Sequence, residues 1–174
     1  METMDAVFTR TDWERLPEGF PAQLIHGQLV KEPAPTYGHQ RIAARIRLAL
    51  MTLVGPDRVP DTPADVAIDE ENVYQPDVIV LEHPADDDSP YVGVPLLAAE
   101  VLSPSTRNRD RNVKAEQLLM IGVEEVWLVD PDAQTIEVRR SDGSEITRAG
   151  GQARSQALRG FVLVVDALFS PPQI

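Results

Sequence analysis

Three ionisable residues lie in stretches whose other side chains are apolar. Glu100 interrupts the run 94–102 (VPLLAAEVL), Asp77 immediately precedes the run 78–81 (VIVL), and Lys114 begins an apolar stripe on a predicted helix. An ionised group among apolar neighbours costs several kcal/mol unless it is paired or binds a metal. Each of the three therefore needs a partner, and each is a candidate for chemistry.

The charges of these residues do not cancel, because Asp77 and Glu100 contribute two negative charges and Lys114 one positive charge. If the three converge, a hard divalent cation such as Mg²⁺ or Mn²⁺, with oxygen ligands and several waters, would balance the site. Such a cation acidifies a bound water and neutralises charge on a phosphate oxygen. The lysine could orient the water or stabilise the charge of the transition state. These parts are what phosphodiester hydrolysis requires.

A plainer interpretation of the same residues stays open. Asp77 could cap a turn at a strand entry, since Pro-Asp occurs four times in the chain and three copies lie in polar, turn-like surroundings. Glu100 could be satisfied by backbone N–H groups or an arginine near a strand end. Lys114 could extend to solvent from the first helical turns.

The three residues lie on two predicted strands and one predicted helix. Segments 77–82 and 94–103 read as strands, and the second is apolar on both faces, as expected where both sides of a sheet are covered. The helix at 106–121 places Lys114, Leu118 and Ile121 on one face. Other predicted elements are a short hairpin or bulged strand at 23–33, a helix at 38–56, a strand at 64–69, a strand pair at 124–140 and a final strand at 161–169. This order predicts an α/β fold.

Composition limits the class of protein. The chain has 174 residues, of which 43% are apolar and 25% charged, and this fits one domain spanning 1–174. It has no cysteine, which excludes disulfides and thiolate metal sites and favours a cytoplasmic location. No apolar run reaches ~18 residues, so no membrane span is expected. The first twenty residues also lack the pattern of a secretory signal.

The chain is strongly acidic, with 16 Lys and Arg against 28 Asp and Glu, a formal net charge of −12. Long-range repulsion argues against tight, non-specific binding of nucleic acid. It leaves room for a small basic patch, or for an acidic site filled by divalent cations. Arg107, Arg109 and Arg111 form the one clearly basic segment.

Other candidate sites are weaker. The three histidines are too scattered for a metal-ligand pattern, and His39 is expected to cap or pack at a helix start. The acidic stretches 69–72 and 85–90 are expected to be solvated loops, and Ser103 and Ser105 lack the context of a serine hydrolase. Trp127 is expected in the core.

The string "QPDVIVL" (75–81), followed by "PLLAAEVLSPSTRNRDRNVKAEQLLMIGVEEVWLVDP" (95–131), closely resembles the Uma2 family, known as a domain of unknown function. That family is similar to the PD-(D/E)xK restriction-endonuclease superfamily. The resemblance implies a restriction endonuclease-like core, in which a central mixed β-sheet is flanked by α-helices. It also implies Asp77 and Glu100 as the motif acids. The superfamily lysine is absent at Leu102, and Lys114 matches the lysine that this family carries on the next helix.

From this resemblance we expect a Mg²⁺- or Mn²⁺-dependent endonuclease acting on DNA. Asp77 and Glu100 would ligate the metal, with the Val101 carbonyl as a further ligand, and Lys114 would act on the water or the phosphate. Enzymes of this type usually cut both strands as symmetric dimers, so a homodimer is expected.

The chain also departs from the family pattern. Gln23, His26 and Gln28 stand where the family usually has acidic residues, and Leu118 stands where it often has an aromatic. Loss of an acid near the N-terminus could remove a metal contact. A second hypothesis follows, in which the chain is a binding or assembly module on a nuclease-like scaffold, because fold does not fix function.

Overall fold

The computed structural model describes residues 7–17 and 19–171. The predicted domain 1–174 and the predicted absence of a signal both extend over residues 1–6, which, like 18 and 172–174, lie outside the described residues. The described part combines helices with three β-sheets, and the helices that shape the site pack on the two faces of a central mixed sheet. The predicted fold class is therefore confirmed.

A four-stranded antiparallel sheet has the order β2-β1-β4-β3. Its strands are β1 (Ala22–Ile25), β2 (Gln28–Lys31), β3 (Val66–Asp69) and β4 (Asn72–Tyr74). The β1–β2 hairpin turns through His26 and Gly27, whose φ angles are +49° and +69°. Two consecutive positive φ angles are what a tight hairpin turn needs, and glycine tolerates them without strain. Of the two forms predicted for 23–33, a hairpin or a bulged strand, the structure has the hairpin.

The central sheet has five strands in the order β5-β6-β7-β8-β9. They are β5 (Val78–Val80), β6 (Leu97–Val101), β7 (Glu125–Asp130), β8 (Thr135–Arg140) and β9 (Gly143–Thr147). β6 and β7 are parallel, whereas the other neighbours pair antiparallel. A parallel pair requires a crossover connection, and the helices between β6 and β7 supply it.

Helix α2 (Tyr37–Val54) covers one face of this sheet. Ile42, Ile46 and Leu50 recur at helical spacing and are buried in the same core as alternate residues of β6. The helix begins at Thr36, whose hydroxyl accepts a hydrogen bond from the His39 N–H. It ends at Gly55, directly before a 3₁₀ turn at Pro56–Arg58.

The crossover covers the opposite face. It consists of α3 (Arg107–Arg109), a π-helical turn (Asp110–Lys114) and α4 (Ala115–Met120). Ala115 and Leu118 pack with Ala98 and Leu128 in a second core. Both faces of β6 are thus covered, as its continuous apolar sequence predicts.

Three segments differ from the prediction. Asn72, expected in a solvated loop, is buried and starts β4, because its side chain bonds the His26 N–H and the Tyr74 hydroxyl. The segment 161–169, predicted as one strand, divides into β11 (Val162–Val164) and helix α5 (Val165–Phe169); β11 pairs only with β10 (Gln152–Arg154). A short helix α1 (Arg10–Trp13), closed by a Thr9–Asp12 capping box, was not predicted.

Two further expectations concern the core and the membrane. Trp127 is buried and its ring lies 5.4 Å from that of Phe161, so its predicted place in the core is confirmed. None of the helices formed by residues 7–17 and 19–171 combines the length and the apolar character that a bilayer crossing demands.

Candidate active site

Strand pairing brings Asp77 and Glu100 to the same end of the central sheet. Val78 pairs with Ala99 in the antiparallel β5–β6 ladder, so the next step along this register sets Asp77 beside Glu100. Asp77 Oδ2 accepts a hydrogen bond of 2.7 Å from the Val101 N–H. Both carboxylates line one cavity of about 470 Å³.

The backbone of Asp77 is held from outside the sheet by Arg47 on α2. The Arg47 guanidinium donates to the Asp77 carbonyl (2.8 Å) and to the Pro60 carbonyl (3.0 Å). These two hydrogen bonds tie the backbone just before β5 to α2. They hold Asp77 in a position from which its side chain lines the cavity.

Lys114 reaches the same cavity from the crossover. Its Nζ lies 2.6 Å from Glu100 Oε1, and both side chains are only 2–3% exposed. The alternative in which Lys114 extends to solvent is therefore wrong. The structure brings the predicted lysine and glutamate into contact and places the predicted aspartate on the wall of the same cavity.

A third buried carboxylate, Asp110, faces the lysine. Asp110 Oδ1 lies 3.6 Å from Lys114 Nζ, at the other end of the π-helical turn. Short π-helical turns recur at functional sites. Asp110 was not among the predicted site residues, although it precedes Lys114 by four residues, a spacing that brings two side chains together on a helix.

His39 also belongs to this cavity. Its Nε2 lies 3.2 Å from Asp77 Oδ2, and the side chain is 18% exposed. The expected capping contact is present, since the His39 N–H donates to Thr36, but the imidazole also contacts a candidate site residue 38 positions away. The hydrogen bond to Asp77 raises the pKa of His39, burial opposes this, and the Val101 carbonyl adds to the rise.

The protonation of Lys114 and Glu100 follows from burial and from neighbouring charge. Burial would lower the pKa of Lys114, but Glu100, Asp110 and Asp77 outweigh it, so the net shift is upward and the ammonium stays charged. Burial raises the pKa of Glu100 well above its usual value, and Lys114 opposes this only in part. The lysine can therefore supply positive charge, but it cannot act as a base near neutral pH.

The donor atoms of the cavity fit a hard divalent cation. Apart from Lys114, Glu100 Oε1 has no hydrogen-bond partner among the described residues, and Asp110 Oδ1 has none there either. Four carboxylates (Glu32, Asp77, Glu100 and Asp110) line the cavity together with two cations (Arg109 and Lys114), so negative charge is in excess. No group of three His, Cys, Asp or Glu residues forms a ready-made metal cluster within the described chain. A cation here would thus keep several waters, as Mg²⁺ does.

The residues able to hold such a cation are few. Asp77, Glu100 and the Val101 carbonyl offer oxygen atoms, as predicted, although these roles remain predictions. The His39 imidazole lies against Asp77, so it could either orient that carboxylate or, when neutral, donate a nitrogen.

Comparison with known proteins identifies the family and the fold. The sequence profile of the Uma2 family, described as "Putative restriction endonuclease", matches residues 8–166. The chain belongs to the Uma2 family. Among solved structures, one described as a "putative nuclease belonging to DUF820" from Anabaena variabilis ATCC 29413 is similar, with a TM-score of 0.79 and 22% identity. The similarity covers 93% of this chain and 97% of that one, and shows a shared fold. No curated protein matches the chain.

Of the three positions at which the resemblance led us to expect an acid, only Gln23 is at the cavity. Gln23 is 4% exposed, donates to Glu32 Oε1 (2.8 Å) and accepts from the Gln75 N–H (2.9 Å). His26 and Gln28 are exposed in the β1–β2 hairpin. Leu118, the other departure, belongs to α4 and is fully buried.

The basic segment of the crossover is neutralised by carboxylates. Arg107 contacts Asp130 and Asp132, Arg109 contacts Glu32, and Arg111 contacts Glu137. Of these arginines, only Arg109 lines the cavity, and it lies 2.7 Å from Glu32. The basic patch that the sequence suggested is therefore made of ion pairs rather than of arginines pointing to solvent.

Proposed function

We propose that this Uma2 protein is a divalent-metal-dependent endonuclease that hydrolyses phosphodiester bonds of DNA. The observation that carries the proposal is the buried Lys114–Glu100 contact beside Asp77, in one cavity. A charged lysine next to partly uncompensated carboxylates has a high cost in an apolar setting, and such arrangements cluster at functional sites.

Each residue has a distinct part in the proposed reaction. Asp77 and Glu100, together with the Val101 carbonyl, would hold Mg²⁺ or Mn²⁺. When bound, this cation lowers the pKa of a water and neutralises charge on a phosphate oxygen. Lys114 keeps its proton, so it orients the attacking water or stabilises the negative charge that grows on the phosphate. His39 and the Val101 N–H fix the orientation of Asp77.

The protonation of Glu100 links metal binding to pH. Burial raises the pKa of Glu100, so this carboxyl holds a proton more readily than an exposed glutamate does. A cation that binds Glu100 must displace that proton, and binding should strengthen as the pH rises.

The decisive experiment is a cleavage assay with Mn²⁺ on plasmid and single-stranded DNA. Lys114→Ala should abolish cleavage, whereas Lys31→Ala should not, because Lys31 is exposed on β2 and is the only other lysine of the chain. Glu100→Gln, which keeps the shape of the side chain, gives a second inactive variant. Absence of cleavage of any DNA or RNA, together with no metal-induced thermal shift, would contradict the proposal.

A binding or assembly module is the second candidate. It is favoured by the net charge of −12, by the ion-paired arginines of the crossover and by Gln23 in place of an acid. This candidate predicts that Asp77→Ala and Lys114→Ala leave the activity of the protein in cells unchanged. We further propose a homodimer in the cytoplasm. Sedimentation of the purified protein tests the first of these, and fractionation of cells tests the second.

A further inference from the structure

A second cavity, which we call the aromatic cleft, adjoins the candidate active site. It has a volume of about 550 Å³ and is lined by Trp13, Phe20, Asp65 and Gln75, with Glu14 and Leu16 at its side. Sites for small ligands commonly have volumes of about 300–1,000 Å³. The volume therefore suits one ring system and its substituents.

Gln75 connects the two cavities, because it lines both. Its backbone N–H donates to Gln23 in the active-site cavity, and its side-chain amide donates to Asp65 (3.1 Å) in the aromatic cleft. A ligand that passes Gln75 would therefore contact both cavities.

Contacts with neighbouring side chains support the Trp13 ring that lines the cleft. The Trp13 ring lies 5.9 Å from the Tyr91 ring, and the Tyr91 hydroxyl donates to Glu14 (2.9 Å). The Arg10 guanidinium lies over the Tyr91 ring, 6.0 Å from its centroid. A supported tryptophan and the 44% exposed Phe20 form a surface on which a flat ring can stack.

The polar lining of the cleft selects against phosphate. Asp65 and Glu14 are acids, and the described residues that line the cleft include no lysine, arginine or histidine. Carboxylate oxygens accept hydrogen bonds from amino groups, as in the pairing of Asp or Glu with the amino group of cytosine. Burial raises the pKa of Asp65 to about 6, and the bond from Gln75 opposes this rise, so the carboxylate form is present at neutral pH.

We propose that the aromatic cleft binds one unpaired nucleobase of a nucleic acid whose phosphate lies near Lys114, and that it prefers a base with an exocyclic amino group. This inference rests on the proposed nuclease function. It adds to that function a position where a single base is recognised, and it requires a single strand or a base turned out of a duplex.

Tryptophan fluorescence tests the proposal directly. The chain has two tryptophans, and Trp127 is buried in the core, so a base stacked in the cleft should quench Trp13 alone. Single-stranded octamers of deoxycytidine and deoxyuridine are the matched probes, because their bases differ in whether ring position 4 carries an amino or an oxo group. We expect quenching by both, with binding of the cytosine octamer about fivefold tighter or more.

Variants separate the parts of the cleft. Trp13→Phe should remove the quenching but keep binding, as followed by anisotropy of labelled octamers. Phe20→Ala should weaken both octamers by about fivefold. Asp65→Ala should reduce the preference for cytosine to less than about twofold. Met120→Ala, at a residue that is 84% exposed on α4, is the control and should change nothing.

Several outcomes would overturn the proposal. The proposal fails if the octamers bind without quenching Trp13 fluorescence, or if neither octamer binds. It also fails if the two octamers bind with equal affinity, or if Asp65→Ala keeps the preference for cytosine. Quenching by tetramethylammonium or arginine amide but by neither octamer would identify a site for organic cations instead. Plasmid cleavage with Mn²⁺, measured in parallel, shows whether the nuclease function has failed too or only the base site.

Discussion

Lys114 Nζ and Glu100 Oε1 lie 2.6 Å apart in a place that water hardly reaches. The two residues come from the crossover and from β6, so their contact joins the helical layer to the central sheet. Asp110 adds a second carboxylate to the same ammonium at 3.6 Å. Lys114 is the cation that contacts Glu100, so its loss would leave a buried carboxylate uncompensated. The contact should therefore contribute to stability as well as to the proposed chemistry.

Replacing Lys114 by methionine should destabilise the fold. Asp110 keeps a contact of 3.6 Å with Arg109, but the change leaves Glu100 buried without a counter-charge. Removing one partner of a buried ion pair typically costs ~3–5 kcal/mol. The free energy of unfolding, measured with urea at pH 7, should fall by that amount. Lys31→Met, on an exposed side chain, should stay within ~0.5 kcal/mol of wild type.

A double variant sharpens this test. Adding Glu100→Gln to Lys114→Met removes one stranded charge, so part of the lost stability should return. A single variant that loses less than ~1 kcal/mol would show that the buried contact contributes little to stability.

Glu125 is a buried carboxylate with a structural role, and it gives a prediction about pH. Its oxygens accept hydrogen bonds from Ser155 and from the Gln156 N–H, as well as from Trp127 and Arg140. Burial would raise the pKa of Glu125, but these four donors lower it below its usual value. Glu125→Ala should therefore cost ~3–5 kcal/mol at pH 7, since it strips partners from buried donors and from Arg140.

The sign of the pH effect follows from the lowered pKa. A carboxylate whose folded pKa lies below its unfolded value adds stability above the unfolded pKa, and this stability is lost as the pH falls through the folded pKa. The difference in the free energy of unfolding between wild type and Glu125→Ala should thus be greatest near pH 7 and should shrink below about pH 4.3. Thermal unfolding between pH 3 and 7 measures it, and a difference that grows with acid would contradict the assignment.

Much of this architecture could be predicted from the sequence, because local rules decide it. Periodic apolar residues determine α2, and the doubly apolar run determines β6. The division of 161–169 into β11 and α5 could not be predicted, since a short apolar run fits a strand or a helix equally well. The burial of Asn72 depends on contacts with His26 and Tyr74, which the local sequence does not specify.

In the candidate site, too, some features could be predicted from the sequence and others could not. Two isolated carboxylates and one lysine in apolar stretches were sufficient to predict which residues would need partners. His39 was missed because its contact with Asp77 joins residues far apart in sequence, and helical periodicity contains no information about such contacts. The π-helical turn that links Asp110 to Lys114 has no sequence pattern that an α-helical prediction would detect.

His39 should control how firmly Asp77 holds a cation. Asp77 Oδ2 receives only the Val101 N–H and the His39 Nε2 as close partners among the hydrogen bonds and ion pairs of the described residues. Removing the group that orients a metal ligand typically lowers metal affinity or activity by about 10–100-fold. His39→Ala should therefore reduce the thermal shift that Mn²⁺ induces, whereas His39→Gln, which keeps a donor, should retain more of it.

The choice of metal distinguishes two roles for His39. An imidazole that binds the cation directly favours softer ions than Mg²⁺. If His39→Ala weakens Mn²⁺ and Mg²⁺ binding equally, His39 orients Asp77; if the loss is greater for Mn²⁺, it is a ligand. An unchanged thermal shift with both ions would exclude both roles.

Gln23 offers the most direct test of whether the site lacks an acid. Its amide donates to Glu32, so Gln23→Glu would set two carboxylates against each other in a buried position. Like charges so placed disfavour ionisation, and we expect a loss of ~1–3 kcal/mol of stability without metal. With Mn²⁺, the added carboxylate should increase the thermal shift and the cleavage rate. Gln28→Glu, exposed on β2, is the matched control and should alter neither. Equal metal-induced shifts for Gln23→Glu and wild type would show that this position does not reach the cation.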